Sequence, residues 1–300
     1  MTLQELRYLV AVADSRHFAR AAEACHVSQP TLSTGIKKLE TNLGVALLDR
    51  SQSKVRPTPL GERVVAQARV VLEEAEKIMT IVRSQGGPLE GPFRLGVIPT
   101  LGPYLIPHLL PTIRAELPDL RLFLREDYTA NLVEQLTTGD LDAALLALPV
   151  IADEIATTQL FKETFMVALP LGHTLAKRKR VRQQDLNNEG LLLLEEGHCL
   201  RDQALEICGG GFSTANEEVR ATSLETLRQM VAAGIGCTLL PALAISPMHT
   251  YGSAQLLELR SFVPPVPFRT IGLATRKRYP RPEIVQALGN IIRGLGKVLL

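Results

Sequence analysis

Residues 18–50 read FARAAEACHVSQPTLSTGIKKLETNLGVALLDR, two short helical patterns with a turn between them. Residues 18–25 are alanine-rich, as close helix packing requires. His26 and Val27 make a tight turn, and Ser28 is a good N-cap because its hydroxyl accepts from first-turn amides. Pro30 then falls in the first turn, where a missing N–H is tolerated. Leu32, Ile36 and Leu39 share one stripe of the following helix. Pro30, Thr34 and Lys37 point away from that stripe, flanked by Thr31, Ser33 and Lys38. A helix, a tight turn and a second helix with a small, polar and basic outer face form a helix-turn-helix. Its second helix is expected to enter the major groove of double-stranded DNA, with contacts from Ser28, Gln29, Pro30, Thr31, Ser33, Thr34, Lys37 and Lys38.

Working outward, Leu3, Leu6, Leu9 and Val10 recur at helical spacing and predict a leading helix. Residues 43–58 read as a β-hairpin wing, with Arg50, Lys54 and Arg56 placed for backbone phosphates. Eight Lys/Arg against five Asp/Glu in residues 1–60 give this region a local positive balance, although the whole chain carries only +2. Cys25 is expected in the packing between helices.

Thr58 and Pro59 open a further helix as cap and first-turn proline. Val64, Ala68, Val71, Ala75, Ile78 and Val82 follow at alternating spacings of four and three, the a/d seam by which two chains wind together. An amphipathic helix packed on its own core would show similar residues, so both readings stand at this point. Residues 84–88, SQGGP, end the helix as a hinge.

After residue 91 strand and helix patterns alternate: strands at 93–97, 120–124 and 142–147, helices at 103–116 and 131–137. This predicts α/β organisation with a largely parallel sheet. A second set follows, with strands at 165–169, 191–195 and 237–240, a short strand at 219–220 and a helix over 223–233 capped by Thr222 with Glu225. Residues 263–267, VPPVP, look like a crossing between two lobes, and the chain returns through 269–275 to a closing helix near 282–298. Open α/β lobes bind ligands at the carboxyl ends of their strands, which singles out Thr100 and Thr129. As isolated threonines, both would be routine helix caps.

Four cysteines at 25, 199, 208 and 237 form no secreted disulfide framework, and the charged N-terminus lacks a signal-peptide core. No apolar run approaches the roughly 20 residues that span a bilayer. A soluble, cytoplasmic protein is expected, with no membrane partner. Cys199 opens a short predicted helix, with His198 before it and Arg201 after it. Helix-start amides and a nearby cation favour thiolate, and His198 can donate a hydrogen bond, so Cys199 is a candidate reactive thiol. Nine residues of helix would set Cys199 and Cys208 about 13–14 Å apart on opposite faces, so a bridge would require the segment to unwind. Two unconnected thiols, or a weak His198–Cys199–Cys208 metal site, are the competing readings.

Residues 18–50 resemble the winged helix-turn-helix of LysR-type transcriptional regulators, and the resemblance runs in order along essentially the whole chain. It implies a winged helix-turn-helix over 1–58, a linker and dimerisation helix with hinge over 59–87, and a regulatory domain over 88–300. That domain would be two-lobed and periplasmic-binding-protein-like, with lobe I at 91–162 and 268–300 and lobe II at 163–267. Within the family, GHCLRDQA at 197–204 is similar to the sensor segment of the peroxide-responsive members. RATSLETLRQMVAAG at 220–234, TLLPAL at 238–243 and IPTLGPYLIPHLLP at 98–111 are similar to the same members. The resemblance implies Cys199 as the thiol that reacts with hydrogen peroxide, Cys208 as its disulfide partner, and a peroxide pocket of Thr100, Thr129, His198 and Cys199. It further implies promoter DNA of antioxidant-defence genes, RNA polymerase and a cellular thiol reductant as partners, and a homodimer assembled into a homotetramer. It implies no enzymatic turnover, cofactor or metal.

Overall fold

The computed structural model describes residues 1–49, 55–83, 87–187, 189–208, 220–245 and 257–300, which form two compact units, Met1–Gln85 and Gly86–Leu300. In the first, α1 (Leu3–Ser15), α2 (Phe18–Ala24) and α3 (Gln29–Leu43) enclose a core of Leu6, Leu9, Val12, Leu32, Ile36 and Leu39. Removing each of these side chains from water contributes on the order of 2 kcal/mol. Ser28 caps α3 by accepting from the Thr31 amide at 3.3 Å, and His26 takes the left-handed turn at φ 53. Strands β1 (Leu48–Asp49) and β2 (Arg56–Pro57) pair antiparallel as the wing. The Glu40 carboxylate fixes the wing to α3 by accepting from the amides of Leu47 and Leu48 at 2.8 and 3.1 Å. Arg50 and Lys54 lie outside the described residues.

Helix α4 (Pro59–Arg83) begins where the Thr58 hydroxyl accepts from the Gly61 amide at 2.9 Å. Part of its apolar stripe packs on the unit's own core. Val65 and Ala68 are buried in the unit's own core with Val64 and Val71 packed beside them, whereas Ile78 stays 63% exposed.

In the second unit, β3 (Gly91–Val97) pairs parallel with β4 (Leu120–Glu126) and β5 (Ala143–Leu148). Helices α5 (Gly102–Glu116) and α6 (Thr129–Thr138) make the crossovers. The sheet as a whole is mixed, which corrects the largely parallel expectation. Strand β6 (Ile155–Pro170) is sixteen residues long and antiparallel to every partner. Its first part pairs with β10 (Phe268–Arg276), and its last part pairs with β8 (Thr238–Pro241) and β9 (Leu257–Phe262). A short β7 (Arg180–Val181) lies parallel on β9. Strand β6 therefore runs through two apolar cores. One holds Phe93, Leu105, Leu132, Leu145, Ile271 and Ile292, with α9 (Pro282–Leu299) against it; the other holds Phe165, Val167, Leu192, Leu227, Leu239 and Phe262.

Three local expectations change. Residues 191–195 form isolated parallel bridges, Leu191 to Cys237 and Leu194 to Ala221, with all four leucines buried but no continuous strand. The other expected short strand includes Val219, outside the described residues, and pairing there begins at Ala221. The cap of α8 (Leu224–Ala232) is Ser223, accepting from the Thr226 amide at 3.1 Å, one residue later than Thr222.

Candidate functional site

Most of the side chains expected to face DNA are exposed. Ser28, Gln29, Pro30, Thr31, Thr34, Lys37 and Lys38 are exposed on α3, Ser33 is half-buried, and Arg56 is exposed on the wing. Lys38 also reaches the Glu5 carboxylate at 3.7 Å.

The second candidate site forms around α7 (Cys199–Cys208), a continuous helix with both thiols free. Its buried face, Leu200, Ala204 and Cys208, belongs to the second apolar core, whereas half-buried Cys199 packs against the first. One helix thus presents its two cysteines to two different cores, and about 13–14 Å of helical rise separates them.

Burial raises the pKa of the Cys199 thiol above its ordinary range. The Arg269 charge, the Thr129 hydroxyl and the Leu200 backbone oppose this without reversing it, and Asp202 adds to the rise. This corrects the expectation that the helix start would make the thiol acidic, because desolvation outweighs the backbone dipoles here. It also changes which cation matters. Arg201 donates to the Leu194 carbonyl at 3.3 Å, and the charge felt at the sulfur is that of Arg269. Cys208 and Cys237, deeper in apolar packing, are each pushed up to about 12.

Arg269 is held in a buried relay. Its Nε donates to Glu163 Oε2 at 2.7 Å, its Nη1 to the Thr100 hydroxyl at 2.8 Å, and its Nη2 to the Thr100 carbonyl at 3.0 Å. The other Glu163 oxygen accepts from the Leu243 amide at 2.9 Å. The Thr100 oxygen therefore already accepts from a cation, which leaves its own proton free to donate. Thr129 is the first residue of α6. Its hydroxyl lies near enough to favour the Cys199 thiolate, yet it is buried and makes no hydrogen bond of ordinary geometry.

His198 is buried and kept neutral, burial holding its pKa below the usual imidazole range against the Thr222 carbonyl and Glu195. Its Nε2 lies 3.1 Å from the Thr222 carbonyl, which can only accept, so the ring proton sits on Nε2. The buried Nδ1, without a partner among the described residues, is an acceptor. The expected donor is thus committed to the backbone.

The Thr129 hydroxyl and the Arg269 charge thus act on the sulfur, Thr100 is joined to Arg269, and His198 adjoins Cys199 in the chain. Sequence reasoning missed Arg269 and Glu163. They are 106 residues apart and pair directly across β6 and β10, and neither stands out from the polar residues around it in the sequence. It also missed Tyr128, whose hydroxyl donates to Glu195 Oε1 at 2.5 Å. A half-buried thiol whose ionisation is favoured by a buried hydroxyl and a buried cation suits a small polar molecule that both donates and accepts.

Comparison with known proteins agrees with this reading of the two units. Residues 3–62 match the bacterial regulatory helix-turn-helix protein, lysR family, and residues 86–296 match the LysR substrate binding domain. The chain is 45% identical over 293 residues to the DNA-binding transcriptional dual regulator OxyR of Escherichia coli K12, covering 98% of this chain and 95% of that protein. It is similar in structure to a full-length cysteine-to-aspartate OxyR variant from Pseudomonas aeruginosa, with TM-score 0.70, 45% identity and coverage of 98% and 95%. It also resembles a hydrogen-peroxide-bound OxyR variant from Corynebacterium glutamicum, with TM-score 0.66, 35% identity and coverage of 99% and 95%. With both of its units matched, and with an OxyR relative along nearly its full length, the chain belongs to the LysR family of bacterial transcriptional regulators.

Proposed function

We propose that the chain is a peroxide-responsive activator that reads promoter DNA with α3 and the wing, and senses hydrogen peroxide at Cys199. The observation that carries this reading is that Cys199 and Cys208 lie on one helix but in different cores, with the Thr129 hydroxyl and the Arg269 charge both favouring the Cys199 thiolate. Peroxide-bound and oxidised OxyR relatives support it.

The small thiolate fraction of Cys199 attacks one peroxide oxygen. The S–O bond forms as the O–O bond breaks, and the departing hydroxide takes up a proton to leave as water. Thr129 is free to hydrogen-bond the bound molecule, the Thr100 proton can be donated to it, and His198 Nδ1 offers an acceptor. The Cys208 sulfur then attacks the sulfenic acid of Cys199, forming the disulfide and releasing a second water. Because a disulfide needs Cα atoms within about 7 Å, α7 unwinds as it forms. The change passes through the regulatory unit to the DNA-binding units, and a cellular thiol reductant resets the pair.

The sequence division into 1–58, 59–87 and 88–300, with lobes meeting near 162–163 and 267–268, is proposed with this function. So are a cytoplasmic location, a homodimer through α4, a homotetramer, contact with RNA polymerase, and the absence of turnover. Thiol mapping by mass spectrometry before and after one equivalent of peroxide tests the chemistry. The expected product is a Cys199–Cys208 disulfide with Cys25 and Cys237 free. Four unmodified thiols would overturn peroxide sensing in favour of a metabolite-responsive regulator.

A further inference from the structure

The loop that delivers Cys199 is held by one side chain from across the regulatory unit. Tyr128, the residue before α6, donates to Glu195 at 2.5 Å, and its ring stands edge-on to His198 with centroids 4.7 Å apart and planes at 81°. A Cβ built on Gly197 would lie 3.5 Å from the same ring. Two of the four residues just before Cys199 therefore touch Tyr128, a side chain at a third would meet its ring, and the residue after Tyr128 is Thr129.

Both ends of this latch are hydrogen-bonded to the surrounding fold. The Tyr128 amide donates to Asp127 Oδ1 at 2.9 Å, and that carboxylate also accepts from Asn131 and Gln135 at 2.7 and 3.0 Å. The Asp127 amide donates to the Val97 carbonyl at 3.2 Å, tying the cap to β3. On the other side the Glu195 amide donates to the Ala221 carbonyl at 3.0 Å. Hydrogen bonding to Glu195 keeps the phenol protonated, so it remains a donor across the neutral range.

We propose that Tyr128 is a positioning residue whose hydroxyl braces the loop before Cys199 while α7 is helical, and that its bond to Glu195 opposes the unwinding of α7 and opens when the disulfide forms. This rests on the peroxide reading above. The bond belongs to the reduced arrangement and opposes unwinding, so losing it favours the resolving step over the first oxidation.

The test separates those two steps in the full-length protein. Sulfenic acid formation is followed with a dimedone probe in a Cys208→Ser background, and disulfide formation by thiol mapping in the parent. Tyr128→Phe retains the ring against His198 and removes the hydroxyl. It is expected to leave sulfenic acid formation within about twofold and to speed disulfide formation by about fivefold, the factor that one lost hydrogen bond of about 1 kcal/mol gives. Amide exchange at residues 197–201 of the reduced protein should rise alongside. Glu195→Ala should match Tyr128→Phe, and the double variant should add nothing further. Glu195→Gln, which can still accept from the phenol, should restore most of the parental rate. Additive effects, or both steps slowing by one factor, would overturn the latch. A parent protein that never forms the disulfide would overturn the peroxide mechanism instead, while the exchange comparison would still judge the latch.

Discussion

At Cys199, reactivity is a contest between burial, which favours the thiol, and Arg269 with Thr129, which favour the thiolate. Burial wins, so only a small fraction is ionised near neutral pH. Below the thiol pKa that fraction grows about tenfold per pH unit. Stopped-flow oxidation by peroxide should therefore quicken about tenfold from pH 7 to pH 8, while neutral His198 adds no inflection there. Cys208, pushed up to about 12, should stay unoxidised by stoichiometric peroxide once Cys199 is replaced by Ser, and that variant should lose the transcriptional response. Arg269 has two roles, because the same guanidinium neutralises Glu163 where both side chains are fully buried. Arg269→Met should slow oxidation and, by leaving a carboxylate unpaired, cost about 3–5 kcal/mol in urea unfolding. Adding Glu163→Gln should recover part of the stability but none of the rate, which would separate the electrostatic role from the structural one.

At the scale of an element, the sensor helix depends on the bend before it. Gly197 has φ +100, which side-chain-bearing residues rarely adopt, and the Tyr128 ring lies beside it. Gly197→Ala should cost on the order of 1–2 kcal/mol of thermal stability. It should also displace His198, detectable as a shifted imidazole resonance; an unchanged resonance would mean the bend is held from elsewhere. The elements of the first unit were legible in the sequence because their causes are local. Leu32, Ile36 and Leu39 mark a face, Ser28 caps the helix, and Pro30 fits its first turn. The second unit was less legible where its causes are distant. Residues 191–194 are as apolar as a central strand, yet they meet Cys237 and Ala221 only at single bridges. The apolar pattern marked 165–169 alone, whereas β6 begins at Ile155, because β10, more than a hundred residues later in the chain, gives that polar first half its partner. The helix-start rule for Cys199 failed for a similar reason, since the packing that desolvates the sulfur cannot be seen in GHCLRD.

For the whole molecule, the remaining question is how copies of the chain act together, and α4 poses it most sharply. The 4-3-4-3-4 stripe was readable as a seam between chains or as a face packed at home, and its first half packs at home. Val65 and Ala68 are buried in the DNA-binding unit and Val71 is half-buried against it, whereas Ile78, two turns further on, is 63% exposed. A large apolar side chain in register with Ala75 at the distal end is where a second helix would seat. If two chains join through this face, as proposed, Ile78→Asp is expected to shift dimer toward monomer in sedimentation equilibrium. As an exposed substitution remote from the core of its unit, it should change that unit's unfolding free energy by no more than about 0.5 kcal/mol. Binding to DNA carrying two symmetric half-sites should weaken by roughly 10²–10⁴, the advantage that linkage confers, while binding to a single half-site stays constant. A variant that remained dimeric and kept its preference for the paired site would place the assembly surface elsewhere in the chain. Equal losses on both DNA fragments would instead show that Ile78 supports the fold of the DNA-binding unit itself.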